Sequence, residues 1–220
     1  MLVAGIDEAG RGSIIGPLTV AGVAVKEENL ARLVELGVKD SKLLPSHKRR
    51  AFAVEIRNIA HEVCVRSLPP LEIDAYVKSG RKLHKLNRLE AQTMANVIEE
   101  LRPDVVYVDA ADVVEDRYKH HILELLRFKV KIVSEHKADR TYPVVSAASI
   151  IAKVERDKAI AELASKHGDI GCGYPTDTKT IAFLERWIQE VGEYPDFVRK
   201  SWRPARKFRS EKGTSQAKLI

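Results

Sequence analysis

Cysteine is scarce in this 220-residue chain: Cys64 and Cys172 stand far apart with no Cys-x-x-Cys or Cys/His spacing. That excludes a disulfide framework and a zinc ribbon or finger. No apolar run approaches the roughly 20 residues a membrane helix needs. Met1 leads into a short strand-like segment rather than the basic region and apolar core of a signal peptide. A cytoplasmic, membrane-free monomer is the expectation. Internal repeats and low-complexity blocks are also missing, so solenoid and fibrous architectures drop out. What is present, 45% hydrophobic and 31% charged residues, is the composition of a globular protein with one main domain.

Positive charge is unevenly spread. The formal net charge is +6, yet residues 199–220 alone hold eight Lys/Arg (Arg199, Lys200, Arg203, Arg206, Lys207, Arg209, Lys212, Lys218) against Glu211, leaving about −1 for the preceding 198 residues. A basic end on a near-neutral body fits a polyanionic partner, because each neutralised phosphate releases counterions. A solvated terminus is the plain alternative.

Leu2–Ile6 reads as a buried strand and Gly16–Val25 as a second, with Gly10 and Gly12 between them, the outline of a hairpin. A helix from Ser46 (Phe52, Ile56, Ile59) precedes a third strand over Glu62–Leu68. The clearest helix spans 83–101, ended by Pro103. Val105–Val108 and Lys129–Ser134 are strand-like runs separated by a helix carrying Tyr118, Ile122 and Leu125, which predicts a parallel pair. A long helix begins at Pro143 and reaches about Lys166, and another covers 178–191.

Phosphodiester hydrolysis needs an activated water and positive charge on the nonbridging and leaving oxygens, which two hard cations can supply. Such cations need converging oxygen ligands. Asp7 and Glu8 directly follow the apolar run Val-Ala-Gly-Ile, and Asp109 follows Val-Val-Tyr-Val. Were those strands parallel neighbours, the acids would meet at the carboxyl ends, where open α/β sheets place ligands. Asp139, just past the next strand, can join them or can cap a helix. Asp112 and Asp116 read as caps or turn residues. Gly10-Arg11-Gly12 suits close approach to a sugar-phosphate, with Arg11 as a phosphate fork, and suits a tight turn equally well. Tyr174 in GCGYP can stack on a nucleotide or cover the core edge. Ser146, Ala147, Ala148, Ser149 and Ala152 form a small-residue face for packing on the sheet. Lys153 and Arg156 either add charge beside the acids or are solvated, and His136 is a candidate general acid.

Taken in order, GIDEAGRG at the start, DSK at 40–42, YVDAAD at 107–112, EHKAD at 135–139, SAASIIAKVERD at 146–157 and GYP at 173–175 resemble the ribonuclease HII family, in its archaeal form. The resemblance implies a ribonuclease H-like α/β fold: a mixed five-stranded sheet flanked by helices, with a C-terminal helical extension. It implies a catalytic domain over 1–205 and a basic tail over 206–220. It also implies cleavage of RNA in RNA/DNA hybrids and at ribonucleotides embedded in duplex DNA, with Mg²⁺ or Mn²⁺, leaving 3′-hydroxyl and 5′-phosphate ends. By motif, Asp7, Glu8, Asp109 and Asp139 become metal-binding catalytic acids. Gly10, Arg11 and Gly12 become the turn that recognises the 2′-hydroxyl, Tyr174 packs on the neighbouring sugar, and Lys42 and Lys153 contact phosphates. Ser13 and Leu43 depart from the family's usual proline and lysine. Gln216 and Leu219 resemble the start of the Gln-x-x-Leu peptide that binds sliding clamps, without its two aromatics. Sugar kinases and actin-like ATPases also open on Gly-Ile-Asp, but they continue Gly-Thr where this chain has Glu8-Ala9, and 220 residues is short for their two lobes. A non-catalytic nucleic-acid binder would have no use for the four acids together.

Overall fold

The structure is a computed structural model and describes residues 1–38, 45–79 and 85–207. Its elements are β1 (Leu2–Ala9), β2 (Leu18–Lys26), α1 (Leu30–Leu36), α2 (Ser46–Ile59), β3 (Glu62–Leu68), α3 (Pro70–Lys78), α4 (Lys85–Leu101), β4 (Val105–Asp109), α5 (Glu115–Leu123), β5 (Lys131–Glu135), α6 (Ala138–Thr141), α7 (Pro143–His167) and α8 (Thr178–Val191). The chain divides into two compact units. Of the described residues, one contains 1–9, 19–38, 45–67 and 85–155; the other contains 10–18, 68–79 and 156–207.

The first unit is built on a five-stranded sheet of order β3-β2-β1-β4-β5. β1 pairs antiparallel with β2, Leu2 opposite Lys26 and Asp7 opposite Ala21. It pairs parallel with β4, Ile6 opposite Val108, and β4 pairs parallel with β5, Asp109 opposite Glu135. Successive strand residues face opposite sides of a sheet, and here each side has its own core. Val3, Ala9, Ala21, Val23 and Val25 pack with Leu33 of α1, Ile56 of α2 and the 144–152 stretch of α7. Ala4, Ile6, Val20, Ala24, Val106 and Val108 pack with Met94, Val97 and Ile98 of α4 and Tyr118 and Ile122 of α5. A central strand covered on both faces has to be apolar throughout, which is why β1 and β2 read as continuous hydrophobic runs rather than alternating ones.

Gly5 explains how closely α7 lies on β1. A Cβ there would sit 2.3–2.4 Å from the backbone of Val144 and Val145. A glycine inside a strand marks such an approach. The small-residue face of α7 belongs to the same contact: residues 144–152 are all buried. Pro143 begins the helix, where its missing N–H is no loss.

The second unit has a separate core of Ile14, Ile15, Ile160, Ile170, Phe183, Leu184, Ile188 and Val198. His167, Phe183, Trp187 and Phe197 form an aromatic group with centroids 4.6–6.3 Å apart. Asp177 caps α8 by accepting the Lys179 N–H at 3.1 Å, and Gly192, with φ of 92°, ends it.

Three departures from the sequence reading have physical causes. β1 runs on to Ala9, so Asp7 and Glu8 lie inside the strand rather than after it. The nonlocal pairing with β2 carries the strand past them, and the Glu8 N–H donates to the Asp7 carboxylate at 2.7 Å. α1 and α3, short and weakly periodic, were not anticipated; tertiary packing of Leu33 and Ile73 stabilises them. Leu125 lies beyond the end of α5 and is exposed.

Candidate active site

β1 and β4 are parallel and in register at Ile6–Val108, so Asp7, inside β1, and Asp109, the last residue of β4, come next on neighbouring strands and on the same face. Asp139 is brought in by the turn after β5. There Lys137 takes a left-handed conformation, φ 58°, and opens α6; that backbone costs a β-carbon-bearing residue about 1 kcal/mol. The turn lets the Ala138 N–H donate to Asp109 Oδ1 at 3.0 Å. Ser146 donates its hydroxyl to the Asp139 carbonyl and ties α6 to α7. One carboxylate oxygen from each of Asp7, Asp109 and Asp139 lies within 4.8 Å of the other two.

Glu8 is outside that grouping, and strand alternation gives the reason: it follows Asp7 directly, so its side chain leaves from the opposite face of β1.

The electrostatics are those of a cation site. Burial pushes the Asp7 carboxyl up to about 7, opposed by a hydrogen bond from Ser149, with the Asp109 charge adding to the rise and Lys153 working against it. All three donors are hard carboxylate oxygens, and a divalent cation would remove the penalty that burial and mutual repulsion impose. The residues present therefore fit such an ion.

Two residues of α7 complete this corner. Ser149 and Lys153 are one turn apart, and the Lys153 ammonium donates to the Ser149 hydroxyl at 2.9 Å. Ser149, read from sequence as a packing residue, thus links a lysine to Asp7. Its signal was visible as a hydroxyl four residues before a lysine on an otherwise apolar face.

Asp112 has the role expected of it, a turn and helix-entry residue: it accepts the Val114 N–H at 3.0 Å, the Asn87 amide at 2.8 Å and the Arg117 guanidinium. Arg117 first of all holds its carboxyl well below the usual range. His136 sits with its ring nitrogens 3.2 and 3.3 Å from the Ala110 and Val113 carbonyls.

The second unit holds the turn and Tyr174. Gly10 has a φ of 83°, which suits glycine, and its N–H donates to the Tyr174 hydroxyl at 3.2 Å. Arg156 is buried rather than solvated: it donates to the Cys172 carbonyl at 2.5 Å and lies 4.7 Å over the Tyr174 ring. Tyr174 is therefore fixed on both its face and its hydroxyl. Arg199, counted with the basic end, is also fully buried. Lys42, Gln216 and Leu219 lie outside the described residues.

The sequence profile of the ribonuclease HII family matches residues 4–205. A ribonuclease HII from Thermococcus kodakarensis is 44% identical over 220 residues, covering 99% of this chain and 93% of the relative. The crystal structure of ribonuclease H2 from Pyrococcus horikoshii OT3 aligns with a TM-score of 0.89 at 41% identity, over 96% of this chain and 98% of that one. Ribonuclease HII of Archaeoglobus fulgidus, solved as a complex with PCNA, aligns with a TM-score of 0.84 at 42% identity, over 92% and 96%. No helix among the described residues is long and apolar enough to cross a membrane.

Proposed function

The chain belongs to the ribonuclease HII family, type 2 ribonuclease H hydrolases that cleave the RNA of RNA/DNA hybrids and ribonucleotides in DNA, and from that premise we propose that Asp7, Glu8, Asp109 and Asp139 are its catalytic acids. The observation that carries this is the cluster of the Asp7, Asp109 and Asp139 carboxylates beside the parallel pair β1 and β4. Those three hold the cation, Mg²⁺ or Mn²⁺, and Glu8, outside their grouping, is assigned as the fourth acid on the family motif alone. The chemistry supplied by divalent cations when bound is charge neutralisation at the phosphate's nonbridging and leaving oxygens and activation of a water. Ser149 and Lys153 steady the Asp7 carboxylate, and Lys153 also offers its ammonium to a phosphate.

Selection of RNA over DNA belongs to the turn. The Gly10-Arg11-Gly12 turn reads the 2′-hydroxyl, the group that separates the two nucleic acids at one position, through the N–H groups of Arg11 and Gly12. Arg11 offers a guanidinium fork to phosphate, and Tyr174 packs on the adjacent sugar. Hydrolysis leaves 3′-hydroxyl and 5′-phosphate ends, and the physiological task is removal of ribonucleotides during replication and repair.

The test is a labelled duplex carrying one ribonucleotide. With Mg²⁺ or Mn²⁺ the protein is expected to nick it, leave the all-DNA duplex intact, stop on addition of EDTA, and yield ends that a polymerase extends. Equal cleavage of the all-DNA duplex would overturn the reading.

The basic end is proposed to contact a sliding clamp, as in the Archaeoglobus fulgidus complex. Gln216 and Leu219 supply the first half of the binding peptide, and because the aromatics that fill the clamp's pocket are missing, affinity is expected to be weak. Calorimetric titration of a clamp should detect binding by the full chain and none after removal of residues 216–220; binding that survives the truncation rules this contact out.

A further inference from the structure

The turn after β1 is held from inside by a buried arginine. Arg199 is fully buried. Its Nη2 donates to the Gly10 carbonyl at 2.6 Å, its Nη1 to the Arg11 carbonyl at 2.7 Å, and its Nε and Nη2 to the Gly16 carbonyl, each at 3.3 Å. The guanidinium lies 4.9 Å over the Trp202 ring, and the Arg199 N–H donates to the Ile14 carbonyl at 2.8 Å. The next two residues are pinned as well: Asp74 of α3, itself buried, accepts the Lys200 N–H at 2.7 Å, the Ser201 N–H at 3.1 Å and the Ser201 hydroxyl at 2.5 Å.

Burying a guanidinium is costly, and an apolar side chain would fill the same volume without that cost. The fork instead gathers the Gly10, Arg11 and Gly16 carbonyls at once, the Gly10 carbonyl also accepting the Ser13 hydroxyl at 2.8 Å and the Ser13 N–H at 3.2 Å. This has a consequence on the far side of the turn. In a trans peptide the C=O and the following N–H point in opposite directions, and cis peptides are absent from the described residues. With the Gly10 and Arg11 carbonyls drawn onto Arg199, the N–H groups of Arg11 and Gly12, which share those two peptide planes, point away from it. They emerge on the side where Gly12 is exposed. Tyr174, held by Arg156, fixes the third N–H, that of Gly10.

We propose that Arg199 is a positioning residue for ribose selection: it orients two peptide planes of the turn and thereby aims the Arg11 and Gly12 N–H groups at the 2′-hydroxyl, without itself touching substrate. The inference rests on the reading of the turn given above.

Arg199→Gln removes the fork. Because a 2′-hydroxyl contact held through ground state and transition state acts on binding, KM for a single-ribonucleotide duplex is expected to rise at least about tenfold with kcat within about threefold. Arg199→Lys, one donor group in place of a fork, is expected to recover only part of that loss. Ile188→Ala, in the core of the same unit and outside the hydrogen bonds that hold the turn, is the stability control, each variant being assayed well below its melting point. A KM rise of equal size in Ile188→Ala makes Arg199 a general stabiliser and overturns the proposal, as does a wild-type KM in Arg199→Gln. If Arg199→Gln does not fold, Asp74→Asn, which loosens Lys200 and Ser201, must show the same KM-selective defect in smaller degree; an unchanged KM there overturns the proposal too. Gly10→Ala separates the premises, since its Cβ would lie 2.5 Å from the Pro17 carbonyl and distort the turn itself. Wild-type kinetics in Gly10→Ala overturn the reading of the turn, whereas a defective Gly10→Ala beside an unimpaired Arg199→Gln overturns only the role of Arg199.

Discussion

Asp7→Asn is expected to lower cleavage of a single-ribonucleotide duplex by at least about 10³-fold, on the order of 4 kcal/mol of barrier, while making the metal-free protein more stable at pH 8. The two effects share one cause. Burial raises the Asp7 carboxyl from 3.8 to about 7 in the folded chain. Below about pH 4 the group is protonated both folded and unfolded and has no pH-dependent effect. Between about 4 and 7 the unfolded chain releases the proton and the folded chain keeps it, so stability falls as pH rises. Above about 7 the loss is complete, on the order of 4 kcal/mol. Asparagine has nothing to ionise, so the variant's melting temperature should stay flat over this range where the metal-free wild type declines. Mn²⁺ should restore the wild type at pH 8 and stabilise the variant far less. Melting curves at pH 5 and pH 8, with and without Mn²⁺, check the linkage; a wild-type curve insensitive to both variables would remove the cation site from β1.

Gly5→Ala is expected to be the most damaging single added methyl group in the sheet. Its Cβ would meet the Val144 carbonyl carbon at 2.3 Å and the Val144 oxygen and Val145 nitrogen at 2.4 Å, backbone atoms that cannot rotate away. Strand and helix must separate, at a cost of roughly 3 kcal/mol, or about 10 °C in melting temperature for a chain of this size. The damage extends to chemistry, because Gly5 and Asp7 share the face of β1 that meets α7, and α7 carries the Ser149 and Lys153 that steady Asp7. Weaker Mn²⁺ binding should therefore accompany the lower melting temperature. A Gly5→Ala variant with wild-type melting and wild-type Mn²⁺ affinity would show that the contact between β1 and α7 is loose.

Asp7 and Asp109 were legible in the sequence because an acid after an apolar, β-branched run is a local pattern with a local cause: the run is buried, and the acid stands where the strand leaves the core. The outlines of α2, β3, α4, β4, α7 and α8 were legible for the same reason, since periodicity and proline or glycine punctuation act over a few residues. Asp139 and the turn residues Gly10, Arg11 and Gly12 were ambiguous one at a time, and only the order of several motifs singled them out. Arg156 stayed open between the acids and solvent, and Arg199 was counted with the basic end, since a charged side chain carries no local mark of burial. The partners that make their burial tolerable, the Cys172, Gly10, Arg11 and Gly16 carbonyls, lie 16 to 189 residues away in the chain and belong to backbone rather than to any residue type.

The amino-acid sequence by itself determined the family, the strand and helix periods, and the residue types of the acid pair, because these depend on side-chain character and short spacing. Tertiary structure decided which of those residues lie together. Parallel pairing of β1 with β4 put Asp7 beside Asp109, alternation along β1 turned Glu8 to the other face, and a left-handed Lys137 brought in Asp139. Ser149, Arg156 and Arg199 acquired their roles in the same way, through hydrogen bonds to groups distant in the chain. The physical reason is that a carboxylate cluster and a buried guanidinium are unfavourable in isolation and become stable only when a nonlocal arrangement supplies the opposing charge, donor or carbonyl.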